Sequence, residues 1–441
     1  MSQTSPVASL SIELLQSVLS YLPDVTSLQA AATSCRAFHH AFQGAQGIIA
    51  TLVLSNQIDI SVLPEAIAAD TSAAIGSRNV SDIMQKLHQR YDRPCSTRQM
   101  FRLGRFHHLV SDLAGRFATT VISAFEPHWP KDAISLREKR RIERSIYRFE
   151  IFCNLFRSSD MAREEQSSFF SRLAPWENEQ LGCIHDFLVR LVSPAFDDVA
   201  EHDVFWGVCH VTYGVGVGSP YTQHLLSHGV AKIQEIADTE TYADRWKLLQ
   251  GDKPAKPNHD FLYDGLLERA NGLNSDVYLD QETQIENGPL FSDADSGPED
   301  AWRWAHFDEP RANWIYQAGR DKLRAWGYVM WDSSRLEGFG IFSKAWQDAT
   351  DRQSERREAE REHAYMQNSW EQREWVSRQG GSGWWSWGDQ SKVIWEGKVR
   401  PDWSKRSDAS NTANAHPHIK PKSLSEAREL LSMIKLPQHF R

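Results

Sequence analysis

Residues 10–42 form an almost uncharged block in which aliphatic residues recur at helical spacing, and no Lys or Arg precedes Arg36. A first run of Leu and Val residues ends at Pro23, and Asp24 then offers an N-cap for a second helix, which is followed by a third. Three helices of this size cannot bury so much apolar surface among themselves. We therefore expect part of that surface to face the rest of the chain or a partner protein.

The order of residues in this block resembles an F-box. The residues that carry the resemblance are Glu13-Leu14-Leu15, Val18-Leu19, Leu22-Pro23, Cys35-Arg36 and Phe38. The chain departs from the motif at its opening, where Leu10-Ser11 replaces Leu-Pro, and at Phe38, which replaces the usual Trp. The resemblance implies docking on the Skp-family adaptor of a cullin-based ubiquitin ligase, with the rest of the chain recruiting a target protein.

The resemblance also implies which residues meet the adaptor. They are Leu10, Leu14, Leu15, Leu22, Pro23, Leu28, Cys35 and Phe38. Three later segments, Arg141–Phe156, Pro175–Gly207 and Trp326–Leu336, are similar to segments of a group of uncharacterised fungal F-box-like proteins. The alternative is that residues 10–42 are simply the first helices of a larger helical core, which their apolar spacing alone would also fit.

The bulk properties narrow the class of protein. A net charge of −9 over 441 residues argues against a general phosphate-binding surface, so we expect no nucleic-acid partner. The five cysteines are scattered, with no Cys-x-x-Cys, which is typical of a reducing compartment. We find neither a secretory leader nor an apolar run long enough to span a bilayer. These features predict an intracellular protein of the cytoplasm or nucleus, without a membrane partner.

Helical periodicity predicts a mainly α-helical fold. The clearest helices are expected at Ser135–Phe156 and after Pro175. Residues 271–300 contain eight acids and no Lys or Arg, which indicates a flexible acidic loop. The predicted organisation is an F-box-like domain at 1–50, a helical body at 51–250, an acidic flexible insert at 251–300, a Trp-rich region at 301–400 and a polar tail with a short helix at 401–441.

A basic stripe follows the predicted helix that begins at Ser135. Its members are Arg137, Arg141, Arg144 and Arg148. The stripe could meet an acidic partner or nucleic acid. Glutamates interleave with it, as on an ordinary solvated helix, so we predict that these arginines face water.

Tryptophan is concentrated in the second half, where 14 of the 17 lie from Trp246 onward. We expect Trp314, Trp326 and Trp331 to belong to a core that has few Leu and Ile. Trp384, Trp385 and Trp387 stand beside a glycine-rich stretch that suggests exposure, so they are the candidate anchors for a target protein. The alternative is that this segment folds back and buries the three indoles.

Enzyme motifs are incomplete. Val204–Ser219 could be a strand and glycine loop, but Ser219 stands where a dinucleotide fingerprint needs Gly. His210, His224 and His228 could belong to a zinc site, yet zinc needs three or four converging ligands. We therefore predict no catalytic residue, metal or cofactor. The predicted function is a substrate-recognition adaptor, followed by a non-ligase interaction scaffold and, third, a metal- or nucleotide-binding enzyme.

Overall fold

A computed structural model defines most of the chain. It describes residues 10–75, 80–87, 96–125, 134–157, 163–170, 172–253, 255–258, 261–263, 266, 293–306, 321–343, 345–346 and 351–397. Within these ranges the fold is mainly α-helical, as the periodicity predicts, and the one sheet has two strands. The predicted polar tail at 401–441, Trp314 and the first 22 residues of the acidic stretch 271–300 lie outside the described ranges.

The first half of the fold consists of long and medium helices. They are α1 (Ile12–Ser20), α2 (Val25–Ser34), α3 (Arg36–Gly44), α4 (Gln46–Gln57), α5 (Leu63–Ile75), α6 (Val80–Leu87), α7 (Thr97–Phe125), α8 (Leu136–Phe156), α9 (Arg163–Phe170) and α10 (Pro175–His202). The two clearest sequence predictions correspond to α8 and α10. A capping box begins α8, because the Ser135 hydroxyl accepts from the Glu138 amide and the Glu138 carboxylate accepts from the Ser135 amide.

Shorter elements follow. They are α11 (Val204–Val208), α12 (Pro220–Leu226), α13 (Val230–Ala237), α14 (Tyr242–Leu248), α15 (Gly297–Ala305), α16 (Asp321–Ala325), α17 (Ser333–Gly338), the long α18 (Arg352–Arg378), and strands β1 (Gly381–Gly383) and β2 (Val393–Trp395). Two turns of 3₁₀-helix lie at Gly216–Gly218 and Ile341–Ser343. The strands pair antiparallel, with Ser382 opposite Ile394.

One continuous apolar core joins the N-terminal helices to the body. It runs from Leu15 in α1 to Leu336 in α17. The domain boundary predicted at residue 50 is therefore wrong, since it falls inside α4, and α4 packs on both α1 and α7. The apolar surface that α1–α3 cannot bury among themselves is therefore partly covered by later helices of the same chain.

The predicted acidic insert is also wrong at its C-terminal end. Gly297 begins α15, and Trp302 and Ala305 of this helix are buried. Just before it, Asp293 and Asp295 turn towards α8, where they meet arginines. Acidic composition predicts a solvated loop only when the fold contains no buried cation that can pair with the acids. Here the buried Arg141 pairs with Asp293 and Asp295.

A smaller core holds the C-terminal elements. Val204 of α11, Val376 of α18, Trp385 and Val393 of β2 pack together. The amide of Trp385 also donates to the carbonyl of His202 at 2.8 Å, which ties the hairpin to the end of α10. The last half of α18 is thus fixed against the body.

Candidate interaction surfaces

Helix α1 has an inner and an outer face. Leu15 is 4% exposed and Leu19 is fully buried, whereas Leu14 is 55% exposed. The Gln16 amide donates to the carbonyl of Ala41 at 3.1 Å, which fixes the rotation of α1 on α3. The outer face and its approach carry exposed side chains at helical spacing, which we call the α1 stripe: Leu10, Leu14, Val18 and Tyr21.

Helix α4 extends this apolar surface. The side-chain amide of Asn56 donates to the carbonyls of Ser20 at 2.9 Å and Leu22 at 3.0 Å, so this face of α4 borders the end of α1. Ile48 and Leu52 lie on the same face at four-residue spacing from Asn56, and both are exposed. The α1 stripe with Ile48 and Leu52 is called the N-terminal apolar surface below.

The eight residues predicted to meet an adaptor do not lie on one surface. Leu10, Leu14, Pro23 and Cys35 are exposed, Leu22 and Phe38 are half-buried, and Leu15 and Leu28 are buried. The prediction is therefore wrong for Leu15 and Leu28.

Leu15 is buried where α1 packs on α3 and α4, and Leu28 is buried because α7 covers the inner side of α2. A Cβ on Gly104 of α7 would stand 2.3 Å from the Val25 side chain, so only glycine allows this approach. Gln57 seals the contact, because its oxygen accepts from the Val25 amide at 3.2 Å and its nitrogen donates to the Gly104 carbonyl at 2.8 Å. Leu28, at 0% exposure, belongs to the core that this contact closes.

Several exposed residues were missed as adaptor candidates. They are Ile12, Val18, Tyr21, Ile48 and Leu52. The spacing of Leu10, Leu14 and Val18 by four residues is the signal that could have found the outer face. Ile48 and Leu52 show no such signal, because only the tertiary contact through Asn56 places α4 beside α1.

Of the four arginines in the α8 stripe, Arg137 is exposed, as predicted, whereas Arg141, Arg144 and Arg148 are buried, contrary to the prediction. Arg141 is fully buried; it ion-pairs with Asp293 at 2.6 Å and Asp332 at 2.8 Å and donates to the Met330 carbonyl at 2.8 Å. Arg148 is enclosed by Glu65 and Glu177. Acids from distant parts of the chain, rather than solvent, neutralise this stripe.

Arg148 lies between Glu65 of α5, at 3.0 Å, and Glu177 of α10, at 2.8 Å. All three side chains are buried. Burial raises the pKa of Glu65, against the opposing charges of Arg148 and Arg144. The stripe therefore joins α5, α8 and α10 through buried charge rather than presenting a basic surface.

The three indoles proposed as target anchors fold back onto the body. Trp385 is 2% exposed, and its carbonyl oxygen lies 2.9 Å from the Nδ1 atom of His202. Trp384 and Trp387 are half-buried, and Lys392 stands 4.2 Å above the Trp384 ring. The expected exposure is wrong for Trp385, because the neighbouring glycines build β1 instead of a mobile support. As predicted, Trp326 and Trp331 are buried.

The candidate enzyme motifs do not assemble. Val204–Ser219 begins with a short helix where a dinucleotide site needs a strand. The Nε2 atoms of His224 and His228 lie 3.5 Å apart. Burial lowers the pKa of His224 to about 4, so its imidazole is neutral near pH 7. His210 contacts Glu374 instead, at 2.9 Å.

No third ligand joins these histidines in the part of the chain that the structure describes. Across the described ranges, His, Cys, Asp and Glu side chains form no group of three or more arranged to hold a metal ion. None of the described helices is both long and apolar enough to cross a bilayer.

No protein-family model matches the chain, and no curated protein or solved structure is significantly similar to it. The assignment of the interaction surfaces therefore depends on the geometry of the chain's own residues alone.

Proposed function

We propose that this protein is a non-catalytic, F-box-like recognition subunit of a cullin-based ubiquitin ligase. Its N-terminal apolar surface docks a Skp-family adaptor, and its body holds a target protein. The observation that carries the proposal is the α1 stripe, in which four apolar side chains at helical spacing stay exposed although a large core lies directly beneath them. An exposed apolar surface of this kind is typical of a protein–protein interface.

The order of residues in α1–α3 supports the choice of partner. Leu14 lies on the outer face in the Glu-Leu-Leu element of the F-box-like motif, and Val18 lies one turn further. Leu22 and Phe38, half-buried at the edges of the three-helix unit, are the other motif residues that a partner could contact. Leu15 and Leu28 instead support the unit from within.

The mechanism of such a subunit is proximity. Holding ligase and target on one rigid body turns lysine modification into an effectively intramolecular step. The continuous core from α1 to α17 supplies that rigidity, because it links the adaptor-docking helices to the body without a flexible linker inside the described core.

The decisive experiment is pull-down of a Skp-family adaptor by the full chain and by the double variant Leu14→Glu/Val18→Glu. Two carboxylates in the centre of the stripe should reduce adaptor affinity by more than about 30-fold, or roughly 2 kcal/mol, because each would be buried without a partner. The melting temperature should stay unchanged, since both side chains are exposed.

Leu136→Glu is the matched control, because Leu136 is 70% exposed but lies at the start of α8. This variant should bind the adaptor normally. Unchanged binding by the Leu14/Val18 variant would remove the docking assignment. Adaptor binding without any co-purifying cullin would favour the interaction-scaffold alternative instead.

A further inference from the structure

Cationic side chains converge where the end of α8 meets the turn between α12 and α13. Arg157, the C-cap of α8, donates from Nε to the Ser227 carbonyl at 3.0 Å and from Nη2 to the His228 carbonyl at 3.1 Å. These two bonds hold the guanidinium against the turn. The side chains of Arg157 and His228 are exposed, so this place is open to solvent.

Two imidazoles lie side by side at the same turn. The ring centroids of His224 and His228 are 4.9 Å apart, and their Nε2 atoms are 3.5 Å apart. His224 lies in the last turn of α12 and is half-buried. Two ring nitrogens therefore share one small region of the surface, where each can donate a hydrogen bond once its ring is protonated.

Two lysines complete the group. Lys256 acts electrostatically on both imidazoles, and Lys232, in the first turn of α13, acts on His228. The amide of Asn258 donates to the Pro220 carbonyl at 2.8 Å, which holds the segment that carries Lys256 against the start of α12. The cationic cluster is the name used below for Arg157, His224, His228, Lys232 and Lys256.

Carboxylates balance only part of this charge. Lys232 pairs with the exposed Glu235 at 3.0 Å, and the Glu150 carboxylate acts electrostatically on Arg157. Lys256 and the two imidazoles form no ion pair with any acid among the residues that the structure describes. Three permanent cations thus face two carboxylates, and the cluster is positive even when both imidazoles are neutral.

Burial and the neighbouring charges keep the imidazoles neutral. Burial, together with the charges of His228 and Lys256, lowers the pKa of His224 to about 4. Burial also lowers the pKa of His228, and the three permanent cations of the cluster act in the same direction. A bound anion would raise both pKa values, because it favours the protonated form of each ring. The ligand that this place favours is therefore one that brings negative charge.

We propose that the cationic cluster binds the phosphate group of a phosphate monoester. The Arg157 guanidinium and the two lysine ammonium groups supply positive charge, and the two imidazoles donate to phosphate oxygens once the bound dianion has favoured their protonation. The ligand is either a small phosphate monoester or a phosphorylated side chain of another protein, because both present the same terminal group.

Charge selects a terminal phosphate over other anions. A phosphate monoester carries a charge of about −1.5 to −2 near neutral pH and three acceptor oxygens, which suits several donors around one turn. A carboxylate would leave part of the positive charge unmatched. A nucleic acid would spread its phosphates over the surface of a chain whose net charge is −9. The cluster lies outside α1 and α4, so the proposal does not depend on adaptor docking.

The competing interpretation is that these cations are ordinary solvated side chains, and that Arg157 only caps the carbonyls at the end of α12. Solvated cations would attract every anion weakly. Their attraction would not depend on the imidazoles of His224 and His228.

The first experiment measures binding to the full chain by isothermal titration calorimetry. The probes are phenyl phosphate and the peptide N-acetyl-alanyl-phosphoseryl-alanine amide, each compared with its unphosphorylated form, and a single-stranded oligonucleotide. We expect at least one phosphorylated probe to bind at least about tenfold more tightly than its unphosphorylated form, as charge-assisted hydrogen bonds require. Tighter binding of the phosphopeptide identifies a phosphorylated protein as the source, and tighter binding of phenyl phosphate identifies a small molecule.

The test variant is Lys256→Gln/His228→Gln, which retains Arg157 and its bonds to the backbone of the turn. It should weaken binding of the phosphorylated probe at least about tenfold. Arg36→Gln/His40→Gln on α3 is the matched control, because it also removes one exposed permanent cation and one exposed imidazole. The control should bind like the parent, and both variants should keep the melting temperature of the parent.

Inorganic sulfate tests the role of the imidazoles, because it remains a dianion across the range used. Its affinity for the parent should rise at least about threefold as the pH falls from about 8 to about 6, since the bound dianion favours protonated imidazole. The variant His224→Gln/His228→Gln should lose this dependence.

Four outcomes would overturn the proposal. They are no binding of either phosphorylated probe at millimolar concentration, tighter binding of the oligonucleotide than of both, equal weakening by the test and control variants, and the same pH dependence of sulfate binding with and without the two imidazoles.

Discussion

The α1 stripe and the arginine stripe of α8 show opposite relations between sequence and exposure. The α1 stripe is aliphatic yet remains exposed, with Leu14 at 55%, whereas Arg141 of the α8 stripe is fully buried. Hydrophobicity alone would place the aliphatic α1 stripe in the core and the arginines of α8 in water. The difference lies in what the rest of the chain offers to each face.

Apart from Arg137, the α8 stripe is buried because four distant regions of the chain supply carboxylates along its length. Glu65, Glu177, Asp293 and Asp332 approach it from α5, α10 and the segments that flank α15 and α17. Among the described residues the α1 stripe receives nothing comparable, since α3 and α4 contact the inner and lateral sides of α1. A face without an intramolecular partner is the one left for another molecule.

The largest effect should come from breaking the buried pairs. Replacing Arg148 by Met removes the cation that Glu65 and Glu177 share, so the free energy of unfolding should fall by about 3–5 kcal/mol. The loss should be greater at alkaline than at acidic pH. Burial already raises the pKa of Glu65 against the charge of Arg148, so losing Arg148 raises it further, and stability from a raised carboxyl pKa is lost as the pH rises through it. Urea unfolding at several pH values measures both effects.

Arg356→Met is the control for this experiment, because the Arg356 side chain is 82% exposed and pairs with Glu360 one turn away. It should cost no more than about 0.5 kcal/mol. Similar losses for the two variants would mean that the α8 stripe is solvated, as its sequence alone suggests.

The two faces of α1 give the next largest contrast. Leu15→Ala should destabilise the fold by about 2–4 kcal/mol, since it opens a cavity beneath α1. Leu14→Ala, one residue away, should change stability by less than about 0.5 kcal/mol. Thermal and urea unfolding of both variants measure the difference. Equal destabilisation would show that the N-terminal helices are wholly inside the core and would leave no free docking face.

Local patterns predicted local structure well in this protein. Helical apolar periodicity was sufficient to place α8 at Ser135–Phe156, and Pro175 marked the start of α10. These signals depend only on near neighbours in the chain, which is why they can be interpreted without a structure.

Exposure could not be predicted in the same way. Arg141 and Asp332 are 191 residues apart, and Trp385 is buried against elements near residue 204. Leu28 is the same residue type as Leu14, and it is buried because α2 packs on α3, α4 and α7.

The smallest change in stability is expected at Arg137, the end of the arginine stripe that is exposed to water. The Arg137 side chain is 55% exposed and its Nη1 lies 3.9 Å from Asp295. Arg137→Ala should therefore cost only about 0.5 kcal/mol or less, and salt at about 1 M should abolish that cost, because the screening length then falls to about 3 Å. The loss in Arg148→Met should persist at the same salt concentration, since solvent ions do not reach a buried pair. If high salt reduced the stability loss of both variants equally, Arg148 would have to be as accessible to solvent ions as Arg137. The contrast between the exposed α1 stripe and the buried α8 stripe would then be wrong.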